Sequence, residues 1–388
     1  YGDRICIVGD LALDEVNGAS INKSNVVVYG DTLGERRPII VRYGVGSAFH
    51  IQSGGGVSNV KIMHLDIRAG QSDDGWADKG ISMYAAGSDL LIEGCSIDGF
   101  RENISLSGIN NSFSGVRIRR NSITNACPKT SGVHSQGLYT EYLNDVLVEE
   151  NVFDHNGWSN RTPGAIGCAT DKNHNYYCAS STRGVRAVGN VVFNGAATGL
   201  QLRCNYIDAV DNLLGYNPLQ LTAGHDDFRP QWPTRAVSGR MAGNVAIGSA
   251  DITPLLPRGG PSFGWGLCDG MEVYDNVAAF APHARTTAFK TDRPSKNVSM
   301  TRNFVCEYAG GAFERDPYGT ASASDVNVQV DMPVTKSIRS IQDYMRSFKI
   351  EPATEERFLQ LASSNWIGQW DSRWSAKSAI AWMTRGAQ

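Results

Sequence analysis

Between residues 134 and 225 the chain gathers side chains able to move protons and hold acidic groups. GLYTEY carries Tyr139 and Glu141, GLQLRC carries Gln201 and Arg203, and PLQLTAG carries Gln220 and Thr222. The segment CPKTSGVHSQ before the first brings Lys129 and His134. CATDKNHNYYCASSTR before the second brings Asp171, Lys172, His174, Tyr176 and Tyr177. HDDFRPQWP after the third brings His225, Asp226, Asp227, Arg229 and Trp232, and AFKTD further on presents Lys290. Four of the seven histidines, at 134, 155, 174 and 225, fall in this stretch.

These residue types suit removal of a proton next to a carboxylate, with loss of the β-substituent. Such an elimination needs a cation or proton donor on the carboxylate, a base for the α-proton and an acid for the leaving oxygen. Arg203 suits the carboxylate, because a guanidinium stays charged and presents a rigid fork. His134 or His174 supplies the base, and Tyr139 the acid or a second proton carrier. Lys290 or Lys172 would hold a further acidic group. Gln201, Glu141, Tyr177, Gln220, His225 and Trp232 would line the substrate path. Hydrolysis of a glycosidic bond would instead need two carboxylates about 5–5.5 Å or 6.5–9.5 Å apart. Glu141 with Asp226 or Asp227 could supply them, and Asp154 in DHNGW is another candidate. Acidic residues are no richer than basic ones among these side chains, which favours elimination. Each residue alone also fits a solvated group on an exposed sheet, so the cluster carries the expectation.

Something must place these residues on one face, and a repeated phrase does so. An asparagine recurs in IRRNSI, VEENVF, AVGNVV, AVDNLL, MAGNVA, VYDNVA and MTRNFV, at 121, 151, 190, 212, 244, 276 and 303. Leu65 in IMHLDI and Cys95 in IEGCSI occupy the same slot. Around it lie apolar runs of four to eight residues ending at Gly, Asn, Asp or Ser, without a helical period between them. Parallel strands without crossover helices can be joined by winding the chain into coils that stack at about 4.8 Å. An inward Asn at a fixed turn can then donate to one neighbour and accept from the other. Alternation buries Leu138, Thr140, Leu200 and Leu202 and turns Tyr139, Glu141, Gln201, Arg203, Gln220, Thr222 and Lys290 outward.

These phrases resemble the right-handed parallel β-helix proteins of the pectate-lyase-like superfamily, over roughly residues 1–315. The resemblance implies an all-β solenoid of about 9–11 coils with inward asparagine ladders. It also implies a polysaccharide as substrate, although lyases, hydrolases, epimerases and phage tailspikes share the architecture. The reading is therefore a polysaccharide lyase acting on an extended acidic, uronate-containing chain. The alternatives are a glycosidase or tailspike-type depolymerase using Glu141 and Asp226/Asp227, a uronate C5-epimerase, and a non-catalytic glycan-binding solenoid. Calcium assists many lyases of the superfamily, and SDDGWAD sets Asp73, Asp74 and Asp78 around a Gly turn as the candidate site. Asp-Gly turns are also ordinary loop chemistry. A monomer is expected, or a trimer if the chain is tailspike-like.

Composition narrows the partners. The 36 Lys+Arg against 39 Asp+Glu give a net charge of −3, so no basic field points to nucleic acid. No apolar run of about 18 residues is present, so no membrane-spanning helix is expected. The chain opens at Tyr1 without an initiator Met. A removed upstream segment such as a signal peptide is expected, with a secreted or periplasmic location, or the virion surface for a tailspike. Cys95, Cys204 and Cys306 read as small core residues, and Cys168 with Cys178 as a candidate disulfide closing a loop. The β-helix is assigned to 1–333. From 334 to 388, SIQDYMRSF, ATEERFLQLASSNW and WSAKSAIAWMTRG read as short amphipathic helices. They form an expected C-terminal cap whose tryptophans pack on the last coil.

Overall fold

The computed structural model describes residues 2–13, 18–31, 36–72, 75–76, 78–127, 133–158, 169–224, 237–248, 260–282, 287–291, 295–315, 329–366 and 370–385. Each coil contributes a strand to each of three parallel faces. On face A, Gln136–Glu141, His174–Cys178, Thr198–Leu202 and Leu219–Gly224 pair in succession. On face B, Leu143–Glu149, Arg183–Val188, Tyr206–Val210 and Val237–Ala242 do the same. Face C is built from shorter strands such as Val152–Asp154, Val191–Phe193 and Leu213–Gly215. In the early coils Ser47–Met63, Lys79–Glu93 and Glu102–Arg119 bend from face A into face B without a break. The fold is a parallel β-helix. Face C stacks twelve strands among the described residues, beyond the expected nine to eleven coils.

The asparagine slot sits at the turn from face B to face C, and the residue before it is left-handed each time. His64, Arg120, Glu150, Asp211, Asp275 and Arg302 have φ between 52° and 56°, and Gly94, Gly189 and Gly243 fill the same position elsewhere. A left-handed non-glycine residue costs on the order of 1 kcal/mol, and the side chain that follows offsets it. Asn190 Nδ2 donates to Val148 O at 2.9 Å and to Asn212 Oδ1 at 2.9 Å. Its Oδ1 accepts from the Asn151 backbone N–H and Nδ2, both at 3.0 Å. The ladder runs from Asn121 to Asn303 and ends against Cys95, whose N–H donates to Asn121 Oδ1.

A second polar ladder, with no counterpart in the sequence reading, runs up the opposite corner between faces C and A. Asn103, Asn156, Asn175 and Asn217 are linked amide to amide at 2.8–3.1 Å. Asn217 Nδ2 then donates to Gln220 Oε1 at 2.7 Å. All five residues are buried.

Inside the coils, side chains stack in register, as Ile81, Ile104, Leu138, Tyr176, Leu200 and Leu221 do on face A. Each such fully buried aliphatic side chain contributes about 1.5–3 kcal/mol. The interior is continuous from Ile21 to Val305. Cys95, Cys204 and Cys306 are buried as expected. Cys178 is a free, buried thiol on its face A strand; Cys168, its expected partner, lies outside the described residues.

The C-terminal helices are α1 (Ile341–Ser347), α2 (Glu355–Ser363) and α3 (Ala376–Met383), N-capped by Ser340, Thr354 and Ser375. They do not follow the expected course over the last coil. Their apolar faces, with Tyr344, Phe358, Ile380 and Met383, pack on the outside of face C against Val191, Phe193, Leu213 and Ile247. Beyond α2 the tail reaches the early coils, where Arg37 lies 4.8 Å from the Trp366 ring and Arg120 lies 4.7 Å from Trp370. Tyr216 donates to Glu355 at 2.7 Å across the same contact. The physical reason lies in face C, which presents Val152, Val191, Leu213, Val245 and Val277 outward and needs a cover along its length.

Candidate functional site

The outer side of face A carries one register row in which His50, Ser82, Ser105, Tyr139, Tyr177, Gln201 and Thr222 follow one another coil by coil. The two tyrosines stand in the middle. Their rings stack at 5.7 Å with 10° between planes, as expected for neighbours one coil apart. Tyr139 Oη donates to Glu141 Oε2 at 2.8 Å. Burial and the adjacent Glu141 carboxylate push its pKa well above the ordinary phenol value, so Tyr139 is a proton donor throughout the neutral range.

Arg203 follows the strand Thr198–Leu202, and its backbone N–H donates to Cys178 O. Its guanidinium lies 5.3 Å from the Tyr177 ring centre, with Nη1 3.3 Å from Tyr177 Oη. His174 completes the cluster, stacked on Tyr177 at 5.3 Å. It is buried and its pKa is lowered to about 3, first by desolvation and then by the charge of Arg203. Its Nδ1 is buried without a hydrogen-bond partner. His134 is largely exposed, and its pKa is lowered by desolvation and then by Lys172, with Glu102 opposing. It is near enough for its charge to lower His174 in turn. Lys172 is exposed, and its carbonyl accepts from Gln136 Nε2 at 2.7 Å.

The structure thus brings Tyr139, Glu141, Tyr177, His174, Arg203 and Gln201 together on three successive coils, with His134 and Lys172 at the rim. Tyr177 and His174, expected in a loop, belong to a face A strand of their own. Gln220 is not outward as expected. It is 1 % exposed, bonded to Asn217 and Gly248 O, and ends the second polar ladder. Strict alternation fails there because two consecutive residues turn inward at the corner, Gln220 with Leu221, as Asn175 does with Tyr176. Lys290 faces outward but stands three coils beyond Gln201, about 14 Å along the axis at the usual strand spacing. It pairs with Glu314 at 3.2 Å, so it does not join the cluster. His225, Asp226, Asp227 and Trp232 lie outside the described residues, as do Asp73 and Asp74. Asp78 faces Arg101 at 3.7 Å. Among the described residues no three His, Cys, Asp or Glu side chains come together as a cation site.

Sequence reasoning missed the charged residues that continue the face A row toward the early coils. There Lys79 pairs with Glu102 at 3.3 Å and donates to Ser105 at 3.2 Å, and Arg101 pairs with Glu102 at 3.1 Å. Alternation in GISMYAA and NISLSG, with Ile81, Met83, Ile104 and Leu106 buried, turns Ser82 and Ser105 outward and is the available signal.

No family model and no curated protein sequence matches the chain. Among solved structures it is similar to the A-module of a mannuronan C-5 epimerase from Azotobacter vinelandii, with TM-score 0.47 and 11% identity over 86% of this chain and 91% of that one. An alginate lyase from a Paenibacillus species gives TM-score 0.46 and 12% identity, over 80% and 93% of the two chains. A tailspike protein of E. coli bacteriophage HK620 gives 0.46 and 12%, over 87% of this chain and 65% of that one. The chemistry of face A has to be read from its own side chains.

Proposed function

We propose that the outer side of face A binds an extended acidic polysaccharide and cleaves it by β-elimination at a uronate. The observation that carries this reading is a protonated phenol, Tyr139, and a guanidinium, Arg203, set two coils apart with the Tyr177 ring between them on one face. In it, Arg203 holds the substrate carboxylate and stabilises the charge that develops when the α-proton leaves. Tyr139 gives a proton to the departing glycosidic oxygen, and Glu141 orients the phenol. The base is His134. A residue with a pKa near 3 is a poor proton acceptor at neutral pH, which leaves His174 as the wall against which Tyr177 and Arg203 are set. Gln201 and Tyr177 offer a hydrogen-bonding edge and a ring to neighbouring sugars. A groove parallel to the coil axis suits a linear polymer, because its subsites repeat as the coils do. A substrate of this kind implies a secreted or periplasmic protein.

The test is incubation with a panel of uronate-containing polysaccharides, following the ultraviolet absorbance of unsaturated chain ends. Arg203→Ala should lower kcat/KM on the order of a hundredfold, with Arg203→Lys intermediate. New reducing ends without unsaturation would replace elimination by hydrolysis, and exchange of the C5 proton without cleavage would replace it by epimerisation.

A further inference from the structure

Two coils from Tyr139 toward the early end of the same row, a serine is placed for nucleophilic chemistry that the elimination does not use. His50 Nδ1 lies 2.7 Å from Ser82 Oγ, and His50 Nε2 lies 2.5 Å from Gln52 Oε1. Ser47 Oγ lies 2.7 Å from Ser82 Oγ on the other side. The directions of these bonds follow from the partners. An amide oxygen only accepts, so Nε2 carries the ring proton and Nδ1 has the lone pair. Ser82 must then donate to Nδ1, and Ser47 donates to Ser82 Oγ. Nucleophile, base and base-orienting group are thereby in line, with Gln52 in the orienting place that a carboxylate takes in other hydrolases and the two ring nitrogens exchanged. Beside Ser82 in register stands Ser105, which accepts from the Lys79 ammonium at 3.2 Å, bringing a cation to the next coil.

We propose that Ser82, His50 and Gln52 form a second, hydrolytic site that removes short O-acyl groups from a saccharide lying along face A. Ser82 Oγ attacks the ester carbonyl carbon while its proton passes to His50 Nδ1. Collapse of the tetrahedral intermediate breaks the bond to the sugar oxygen, which takes that proton and leaves as the alcohol. Water, deprotonated by the same Nδ1, then attacks the acyl-Ser82 carbonyl. The carboxylic acid departs and the proton returns to Ser82, so one ester and one water give one alcohol and one acid. Ser105 on the next coil, which accepts from a Lys79 that is also paired with Glu102, would supply the donor for the growing oxyanion. The acyl group is short because Ser82 is only 4 % exposed and its neighbours Ser47, His50, Gln52, Lys79 and Ser105 are polar, leaving no apolar slot for a chain. A saccharide ester is favoured because the row is continuous with the Tyr139 groove.

The experiment uses the whole chain with 4-nitrophenyl acetate, an O-acetylated uronan and a fluorophosphonate probe. The expected results are release of acetate and a phosphonylated peptide containing Ser82. Acetate release should fall on the order of a hundredfold in Ser82→Ala and His50→Ala, and about tenfold in Gln52→Ala. Elimination at the Tyr139 site should be unchanged in all three, and an intact unfolding transition identifies a folded variant. Labelling of the unsubstituted protein needs no variant. Absence of label on Ser82, label on another residue alone, or equal acetate release by folded Ser82→Ala overturns the proposal.

Discussion

Replacing Tyr139 by Phe isolates one oxygen atom and keeps everything else. The ring stack on Tyr177 at 5.7 Å survives, so the packing of the face A row is unchanged. What goes is a single donor bond to Glu141 at 2.8 Å. Because Glu141 is only half-buried, water can re-solvate its carboxylate. The stability cost is then about 1 kcal/mol, or roughly 2 °C in Tm for a chain of this size. Catalysis should respond on another scale. A general acid contributes about 10²–10⁴-fold to the step it serves, so kcat for formation of unsaturated ends should fall by that factor. KM should hardly move, since the bond matters only as the leaving oxygen gains charge. Tyr139→Ala should lose the stacking as well, by about 0.5–1.5 kcal/mol more. Stopped assays for unsaturated ends, paired with thermal unfolding of the same preparations, separate the two effects. If Tyr139→Phe keeps kcat within about threefold while its unfolding is normal, the acid is elsewhere and the assignment is wrong.

The base should show itself in the acid limb of the pH profile. With His134 lowered by desolvation and Lys172, kcat/KM should rise with a midpoint below about 6.5, and Lys172→Ala should move that midpoint upward; an unmoved limb would exclude His134. His174 should make the fold acid-sensitive. Its folded pKa near 3 lies below the unfolded value, so the unfolded chain gains a proton first as pH falls. Stability is then complete above about pH 6.5 and declines by about 1.4 kcal/mol per pH unit toward pH 3. Chemical unfolding of His174→Gln across that window should show a shallower slope, and an identical slope would refute the buried, neutral imidazole. Asn190→Ala removes four buried hydrogen bonds and should cost on the order of 4 kcal/mol. Asn297→Ala, which removes a bond to Asp269 at the surface, should cost under about 1 kcal/mol by the same unfolding measurement.

The solenoid was legible because one of its corners is written at a fixed place in a phrase. Asn121 to Asn303 each follow a face B strand by two residues, so the slot can be read without knowing how the coil closes. The second ladder is chemically equivalent but was invisible. Asn103, Asn156, Asn175 and Asn217 follow face C, where the connecting stretches differ in length from coil to coil. They share no flanking phrase. The same corner explains the error at Gln220. Alternation is a rule for straight strands, and a corner that turns two successive residues inward shifts its parity. Within the straight part of face A the parity held, and Tyr139, Gln201 and Thr222 line up in register. The place of Arg203 directly after the GLQL strand is legible in the sequence. Its contact with Tyr177 is not legible, because CATDKNHNYYCASSTR reads as a connecting segment rather than as the face A strand His174–Cys178. The course of the C-terminal helices was also hidden. Their amphipathic pattern says that they need an apolar partner surface and leaves open whether that surface is the end of the solenoid or its flank.

The second ladder bears on the chemistry as well as the fold. It begins at Asn103, one coil before Tyr139, and ends at Gln220, one coil past Arg203, so the coils of Tyr139, Tyr177, His174 and Arg203 lie within its span. Asn175 sits between His174 and the pair Tyr176 and Tyr177. Its Oδ1 accepts from Asn156, and its Nδ2 donates to Phe193 O and to Asn217 Oδ1, all within 2.8–2.9 Å. A side chain held at both ends of its amide fixes the backbone on either side of it, and so the directions in which His174 and Tyr177 leave that backbone. Misplacing a reacting group by about 1 Å can cost a hundredfold in rate, so rigidity here is worth more than any single added contact. The other ladder runs past both ends of the site, from Asn121 to Asn303. The one behind the tyrosines, among the described residues, runs from Asn103 to Gln220 and brackets the coils of the proposed site.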